Sequence, residues 1–204
     1  MPNRLLVLAL LAALPVSAAV PEKGEGTITL LGGVRFVTPR NADYISDTGA
    51  SHQTIQGAGL ASFGYQYDEE LHFKIEGGYL PDHYGITSGD LTVRSIPILL
   101  GLDTAIIRRD RFTFYGGGGI GYLLNTGSRN GKNNEANSTA AYLALGIRWQ
   151  LGGIVGLVVE DRYILANAAV DANDPNRNLN VGGNLVLAGL MFHFLEPDDH
   201  PQHP

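Results

Sequence analysis

From about residue 26 onward, apolar and polar residues alternate with the period of two that marks β-strands. In "TITLLGGVRF", Ile28, Leu30, Val34 and Phe36 share one face, and Thr27, Thr29 and Arg35 share the other. "IQGAGLASFGYQY" groups Ile55, Ala61, Phe63, Tyr65 and Tyr67 against Gln56, Ser62 and Gln66. "LHFKIEGGY" sets Leu71, Phe73, Ile75 and Tyr79 against His72, Lys74 and Glu76. "AYLALGIRWQ" sets Leu143, Leu145, Ile147 and Trp149 against Tyr142, Arg148 and Gln150. Further strands are expected over 91–106, 111–124, 154–166 and 181–195. The pattern predicts about eight strands, longer than the ~5–6 residues usual in globular proteins.

The connections alternate in length. Long, Asn-, Asp- and Gly-rich ones are expected near 38–52, 81–90, 125–138 and 167–180, and short ones near 68–70, 108–111 and 150–153. An up-and-down antiparallel sheet, with turns at one end and loops at the other, follows most simply.

One motif argues for something else at first sight. "FYGGGGIGY" contains Gly116, Gly118 and Gly121, a literal G-x-G-x-x-G. A dinucleotide site needs a helix after those glycines. Here the apolar alternation runs straight through Phe112, Phe114, Ile120, Tyr122 and Leu124. The stretch reads as mid-strand, where glycine permits bending or close backbone approach.

Composition narrows the class. The 204 residues carry no cysteine, 27 glycines and a formal net charge of −6. An acidic chain without basic runs argues against nucleic acid. Residues 1–19 have the form of a cleaved signal peptide: Arg4, an apolar run from Leu5 to Leu14, then "VSAAV". An exported chain without cysteine has no disulfide framework or cysteine zinc site. No later stretch reaches the ~20 apolar residues of a membrane helix. Entry into a membrane would be by strands.

Aromatic positions then choose which way the apolar face looks. Tyr65, Tyr67, Phe73, Phe112, Phe114, Trp149, Phe192 and Phe194 fall at the short-turn end. Phe36, Tyr79, Tyr122 and Tyr163 gather toward the loops. Two aromatic belts on the apolar face match the two interfaces of a bilayer. A soluble lipocalin-like binder has no use for them.

The last expected strand, "LAGLMFHF", with Gly189, Phe192 and Phe194, resembles the C-terminal sorting signal of bacterial outer-membrane barrels. With the leader, the loops and the strand count, the mature chain resembles the small OmpA/OmpX/OmpW-type barrels. The resemblance implies an all-β fold: an eight-stranded antiparallel up-and-down transmembrane β-barrel over 25–195, preceded by the signal peptide and followed by a solvated tail over 196–204. It implies residence in the bacterial outer membrane, contact with the bilayer and lipopolysaccharide, delivery by the outer-membrane assembly machinery, and a monomer. In the family the pattern stops at the terminal aromatic, whereas here "LEPDDHPQHP" follows.

The opposite face lines the lumen and is expected to carry Arg35, Lys74, Glu76, Arg94, Arg148, Glu160 and Arg162. Eight strands leave an interior that side chains can fill, so these charges must pair. Pro97 cannot donate to a ladder, and a bulge there is expected to keep Arg94 inside and turn Asp103 inward. Asp161, between two lumen residues, is left facing lipid. His72 and His193 look into the lumen near the turn end. "HPQH" (His200, His203) is better suited to a solvated tail than to a metal site, and neither cofactor nor metal is expected.

No catalytic set emerges. Asp82-His83 and Ser51-His52 lie on expected loops without a fixed geometry, and the His-x-Ser-Asn signature of outer-membrane lipid A deacylases is missing. The expected function is non-enzymatic: membrane integrity, or recognition of a partner through the loops. The main alternative, implied by OmpW-type relatives, is transport of small apolar molecules through an apolar pocket near Leu80 and Leu123. A lipid-modifying enzyme ranks below both.

Overall fold

The computed structural model describes residues 23–36, 41–49, 51–52, 55–86 and 89–194. The expected signal peptide, the tail with His200 and His203, and the side chain of His52 lie outside the described residues. Eight long strands are present: β1 (Gly26–Phe36), β2 (Ile55–Gln66), β3 (Leu71–Gly85), β4 (Leu91–Arg109), β5 (Phe112–Arg129), β6 (Ser138–Gly152), β7 (Val155–Leu165) and β8 (Gly183–Phe194). Each pairs antiparallel with its sequence neighbours. β8 returns to β1, from Gly26↔Phe194 to Phe36↔Asn184, and closes the barrel. Closure gives each of the eight strands a hydrogen-bonded partner on both sides, as a lipid environment requires.

Alternation puts the charged and small residues inside and the apolar ones outside. Leu30, Phe63, Ile75, Leu100, Ile120, Leu143 and Leu145 are all exposed on the outer wall. Both aromatic belts lie on that wall, with Tyr65, Tyr67, Phe73, Phe112, Trp149 and Phe194 toward the turns, and Phe36, Tyr79 and Tyr122 toward the loops. Phe192 is half-buried on the same wall, two residues before Phe194, and Gly189 lies on the lumen side of β8.

The short turns fall at 67–70, 110–111 and 153–154, with Asp110 at φ 42° and Gly153 at φ 48°. Two loops differ from expectation because strands continue into them. β3 runs on to Gly85, so only 86–90 connects it to β4. β5 runs on to Arg129, and Asn130 (φ 52°) and Gly131 (φ 74°) fold the chain back so that Lys132–Glu135 pairs with 126–129. An Asn-Gly pair with both φ positive is the turn whose twist suits a hairpin. The first loop carries a short helix, α1 (Ala42–Thr48), and a two-residue strand, Ser51–His52. The last loop carries the pair Asn167–Ala168 and Leu179–Asn180.

Pro97 makes no bulge. The β3–β4 register is the same on both sides of it, Gly77↔Ile98 and Leu80↔Ser95, and only the two intervening pairs are missing from the ladder. On its other side, Pro97↔Leu123 continues unbroken. A missing N–H costs a ladder bond but needs no extra residue, and proline's φ suits an extended chain. The phase therefore never flips. Leu91, Val93, Ser95, Leu99 and Asp103 are buried on the lumen side, and Arg94 is exposed on the outer wall. The expectation that Arg94 lines the lumen is corrected by that parity. Asp103 needs no bulge to point inward.

Candidate functional site: the filled lumen

Two layers fill the lumen. Nearer the turns, strands β3 to β7 each send polar side chains across the axis. Three acids, Glu76, Asp103 and Glu160, meet three cations, Lys74, Arg148 and Arg162. Arg162 Nη2 lies 2.8 Å from Glu76 Oε2, and its Nε donates to Glu160 Oε1 at 2.7 Å. Lys74 Nζ sits among all three acids, 3.0 Å from Asp103, 3.5 Å from Glu160 and 3.8 Å from Glu76. Arg148 pairs with Asp103.

Two tyrosines complete the layer. Tyr115 donates to Glu160 at 2.7 Å and Tyr142 to Glu76 at 2.8 Å. The same rings carry guanidinium groups on their faces, Arg148 at 4.1 Å from the Tyr115 centroid and Arg162 at 4.4 Å from that of Tyr142. Charge within the layer balances, so each ion buried here has a counter-ion within reach. The void among Lys74, Glu76, Asp103, Tyr115, Arg148 and Glu160 is only ≈ 10 Å³. That is room for a single water at most.

The glycine run finds its use here. Inward-facing Gly117 and Gly119 of β5 are sockets for neighbouring side chains. A Cβ on Gly117 would meet an Asp103 carboxylate oxygen at 2.1 Å, and one on Gly119 would meet the Leu100 carbonyl oxygen at 2.1 Å and the Tyr142 ring at 2.6 Å. Opposite, a Cβ on Gly146 would strike the Tyr115 ring at 2.5 Å. Glycine lets ring and carboxylate lie flat against the wall.

The loop-side layer is apolar at its centre. Leu80, Leu91, Leu99, Leu123, Ile164, Leu185 and Leu187 are all fully buried. The last loop, 166–182, folds back over them and buries Val170, Leu179 and Val181. Polar side chains from β1, the segment before α1, β3 and the β5 hairpin hold it. Arg35 donates to the Val181 carbonyl at 3.0 Å while pairing with Asp82 at 2.7 Å. Asn41, just before α1, donates to the Asn180 carbonyl and to the Tyr84 hydroxyl and accepts the Asn180 N–H. Tyr84 donates in turn to Asp82 at 3.0 Å. Arg129 pairs with Asp171 at 2.6 Å, and Asn134 donates to the Ala169 carbonyl.

Of the seven charges expected in the lumen, six lie there. Lys74, Glu76, Arg148, Glu160 and Arg162 share the ionic layer, Arg35 belongs to the loop-side layer, and Arg94 to neither. Asn41, Asp82, Tyr84, Arg129, Asp171 and Asn180 were not singled out from sequence as parts of the lumen, because each lies in a segment read as loop. Their one signal was the set of isolated apolar residues, Val170, Leu179 and Val181, inside a polar stretch. At the turn mouth His193 lies 3.3 Å from Glu25, and His72 lies 2.9 Å from the Thr27 hydroxyl. Among the described residues no group of three or more His, Cys, Asp or Glu side chains is placed to hold a metal.

A closed barrel with belts and a filled lumen is a form many membrane proteins share, and comparison narrows it. The family model described as outer membrane protein beta-barrel domain matches residues 6–194. The chain belongs to this family. It is a protein of the bacterial outer membrane, crossing it by strands. Among solved structures it is similar to neisserial surface protein A (16% identity, 84% of this chain and 98% of that one, TM-score 0.56). It is similar also to OprG of Pseudomonas aeruginosa (13%, 86% and 98%, 0.57) and to Ail, the attachment invasion locus protein of Yersinia pestis (12%, 84% and 99%, 0.50). At such identities the likeness is one of fold. No curated protein sequence matches the chain.

Proposed function

We propose that this protein is a sealed, non-enzymatic barrel that reinforces the outer membrane and presents its loops for recognition, in contact with lipopolysaccharide in the outer leaflet. The observation that carries this reading is the filled lumen: a charge-balanced layer with a ≈ 10 Å³ void beneath an apolar layer closed by the last loop. An ion following the axis would have to break several buried pairs, each costly to disrupt. Phe192 and Phe194 on the outer wall, with Gly189, serve the assembly machinery as its recognition segment.

Single-channel recording of the purified protein in planar bilayers tests the sealed barrel. The expected trace stays at the lipid leak. Stepwise conductance whose ion selectivity changes in Glu160→Gln would overturn it.

One observation favours the second reading, transport of small apolar molecules. Between β6 and β7 the ladder begins only at Ala141↔Leu165. Beyond it a cleft of ≈ 530 Å³ opens on the wall, lined by Ser138, Thr139, Ala140, Ala141, Ala166 and Asn167. A molecule using that exit would first displace the last loop. Uptake of a small apolar probe into proteoliposomes, faster after Asn41→Ala frees the loop, would support this reading against the sealed one.

A further inference from the structure

β7 keeps strict alternation, so Asp161 projects outward between Glu160 and Arg162. Its ladder partners are Leu145 and Val186, both on the apolar wall. It stands four residues along β7 from Leu157, the partner of Trp149 in the turn-side belt, and four from Leu165 at the loop-side end. At a rise of ~3.3 Å per residue and a tilt of ~40°, that is roughly 10 Å from either end, in mid-membrane. Among the described residues its side chain makes no hydrogen bond or ion pair. An ionisable group in that place points to function rather than to packing.

Asp161 is not alone on the wall. Asn184 pairs with Tyr163, two residues on from Asp161, so it lies one strand across and two residues up. In a tilted sheet this diagonal runs close to the barrel axis, roughly 8 Å above Asp161. The Asn184 side chain likewise lacks a partner among the described residues. A polar stripe therefore runs along the membrane normal, from Asp161 in mid-membrane to Asn184 at the level of the loop-side belt, where its ladder partners are Phe36 and Tyr163.

Relief differs on its two sides. On one, Leu143 (72% exposed) and Leu145 stand out and, with Asp161, Tyr163 and Asn184, line an open groove of ≈ 400 Å³ that reaches Gly116. On the other, Ala188 and its ladder partner Gly32 leave a shallow strip. A Cβ on Gly32 would meet nothing within 4 Å. The barrel's own packing does not demand glycine there.

We infer, in place of the monomer that the family resemblance implies, that this wall is the interface of a homodimer, two copies joined about a two-fold axis along the membrane normal with Asp161 and Asn184 beside it. Copies inserted in the same direction are related by such an axis, which brings each group opposite its own image at one depth. A carboxyl group and a carboxamide each offer a donor and an acceptor, so each can pair with its own image. The same rotation lays the Leu143–Leu145 ridge of one copy on the Ala188–Gly32 strip of the other. A partner carrying a single cation would answer Asp161 and leave Asn184 bare.

The chain has no cysteine, so single replacements report unambiguously. Val186→Cys, beside the stripe, should crosslink to its own copy in native outer membranes treated with a membrane-permeable oxidant. Leu100→Cys, lipid-facing on β4 across the barrel, should not. Adding Asp161→Leu, or separately Asn184→Leu, should lower the Val186→Cys crosslink roughly tenfold, the scale of a polar contact between membrane segments. Leucine is at home on a lipid-facing wall, and a heat-dependent gel shift verifies that each variant is folded. The dimer is wrong if Val186→Cys crosslinks no better than Leu100→Cys, or if folded Asp161→Leu crosslinks as before.

Discussion

Replacing Glu160 by glutamine removes one charge from the ionic layer and little volume. Glu160 is 1% exposed and receives hydrogen bonds from Arg162 and Tyr115, both at 2.7 Å, with Lys74 3.5 Å away. In Glu160→Gln the layer holds three cations against two acids, and the new amide turns donors toward one of the cations. Breaking a buried pair from one side costs about 3–5 kcal/mol. Glutamine keeps one carbonyl to accept from Arg162 or Tyr115, so the low end, ~3 kcal/mol, is expected. That corresponds to roughly a hundredfold change in the unfolding equilibrium.

The assay is reversible urea unfolding from lipid vesicles, followed by fluorescence of the single tryptophan, Trp149, in the turn-side belt. Lys74→Met in the same chain restores the balance at two against two. The double variant should therefore lose less stability than Glu160→Gln alone. A loss below ~1 kcal/mol for the single variant, as for a solvated surface pair, would refute the buried network. So would a double variant that loses the sum of the two single losses.

Other outcomes follow from the same geometry. Gly119→Ala, whose Cβ meets a backbone carbonyl, should destabilise by about 1–3 kcal/mol or more, and Gly116→Ala, 3.1 Å from the flexible tip of Ile106, by less; paired urea titrations give the order. Asn41→Ala leaves the Asn180 N–H without its acceptor, at about 1–3 kcal/mol locally, so limited proteolysis within 166–182 should quicken while the strands stay protected. Phe194→Ala should lower outer-membrane levels of the protein, read by fractionation and heat-dependent gel shift; unchanged levels would remove the sorting role. Asp68, in the exposed 67–70 turn, accepts the N–H groups of Leu71 and Glu70, which hold its carboxyl below the ordinary carboxylate range. Its contribution is thus present above the unfolded value and lost as pH falls through the lower folded one; an NMR midpoint for Asp68 at or above that of the unfolded chain would contradict this.

Strand number, facing and belts were legible because lipid leaves few alternatives: each wall residue is either in the lumen or in the membrane, and period two records which. Pro97 falls outside what the pattern can report, because a missing donor does not imply a shifted register: β4 drops two pairs to β3 and keeps step with β5. Residues 81–85 and 125–129 read as loop because beyond the membrane the outer face need not be apolar, yet their backbones still pair. The loop-side layer was least visible. Val170, Leu179 and Val181 are single apolar residues in polar sequence, and the polar groups that fix their neighbourhood lie 42 to 146 positions away. No local pattern records such distances.

The pairing of Gly26 with Phe194 has a consequence for biogenesis. The two strands that meet at the seam are the first and the last to leave the ribosome, so the ring cannot shut until the whole chain has crossed the cell. Any shorter intermediate placed in hydrocarbon would bare two rows of backbone donors and acceptors. Strand-by-strand insertion is therefore unfavourable, and burial in lipid must coincide with closure or be sheltered by another protein's strands. Contacts this distant also form slowly. The alternation that gives the folded wall its two faces serves the waiting chain as well, since a segment half polar and half apolar can stay in water, held by a chaperone, where a continuous apolar run would have stopped in the inner membrane.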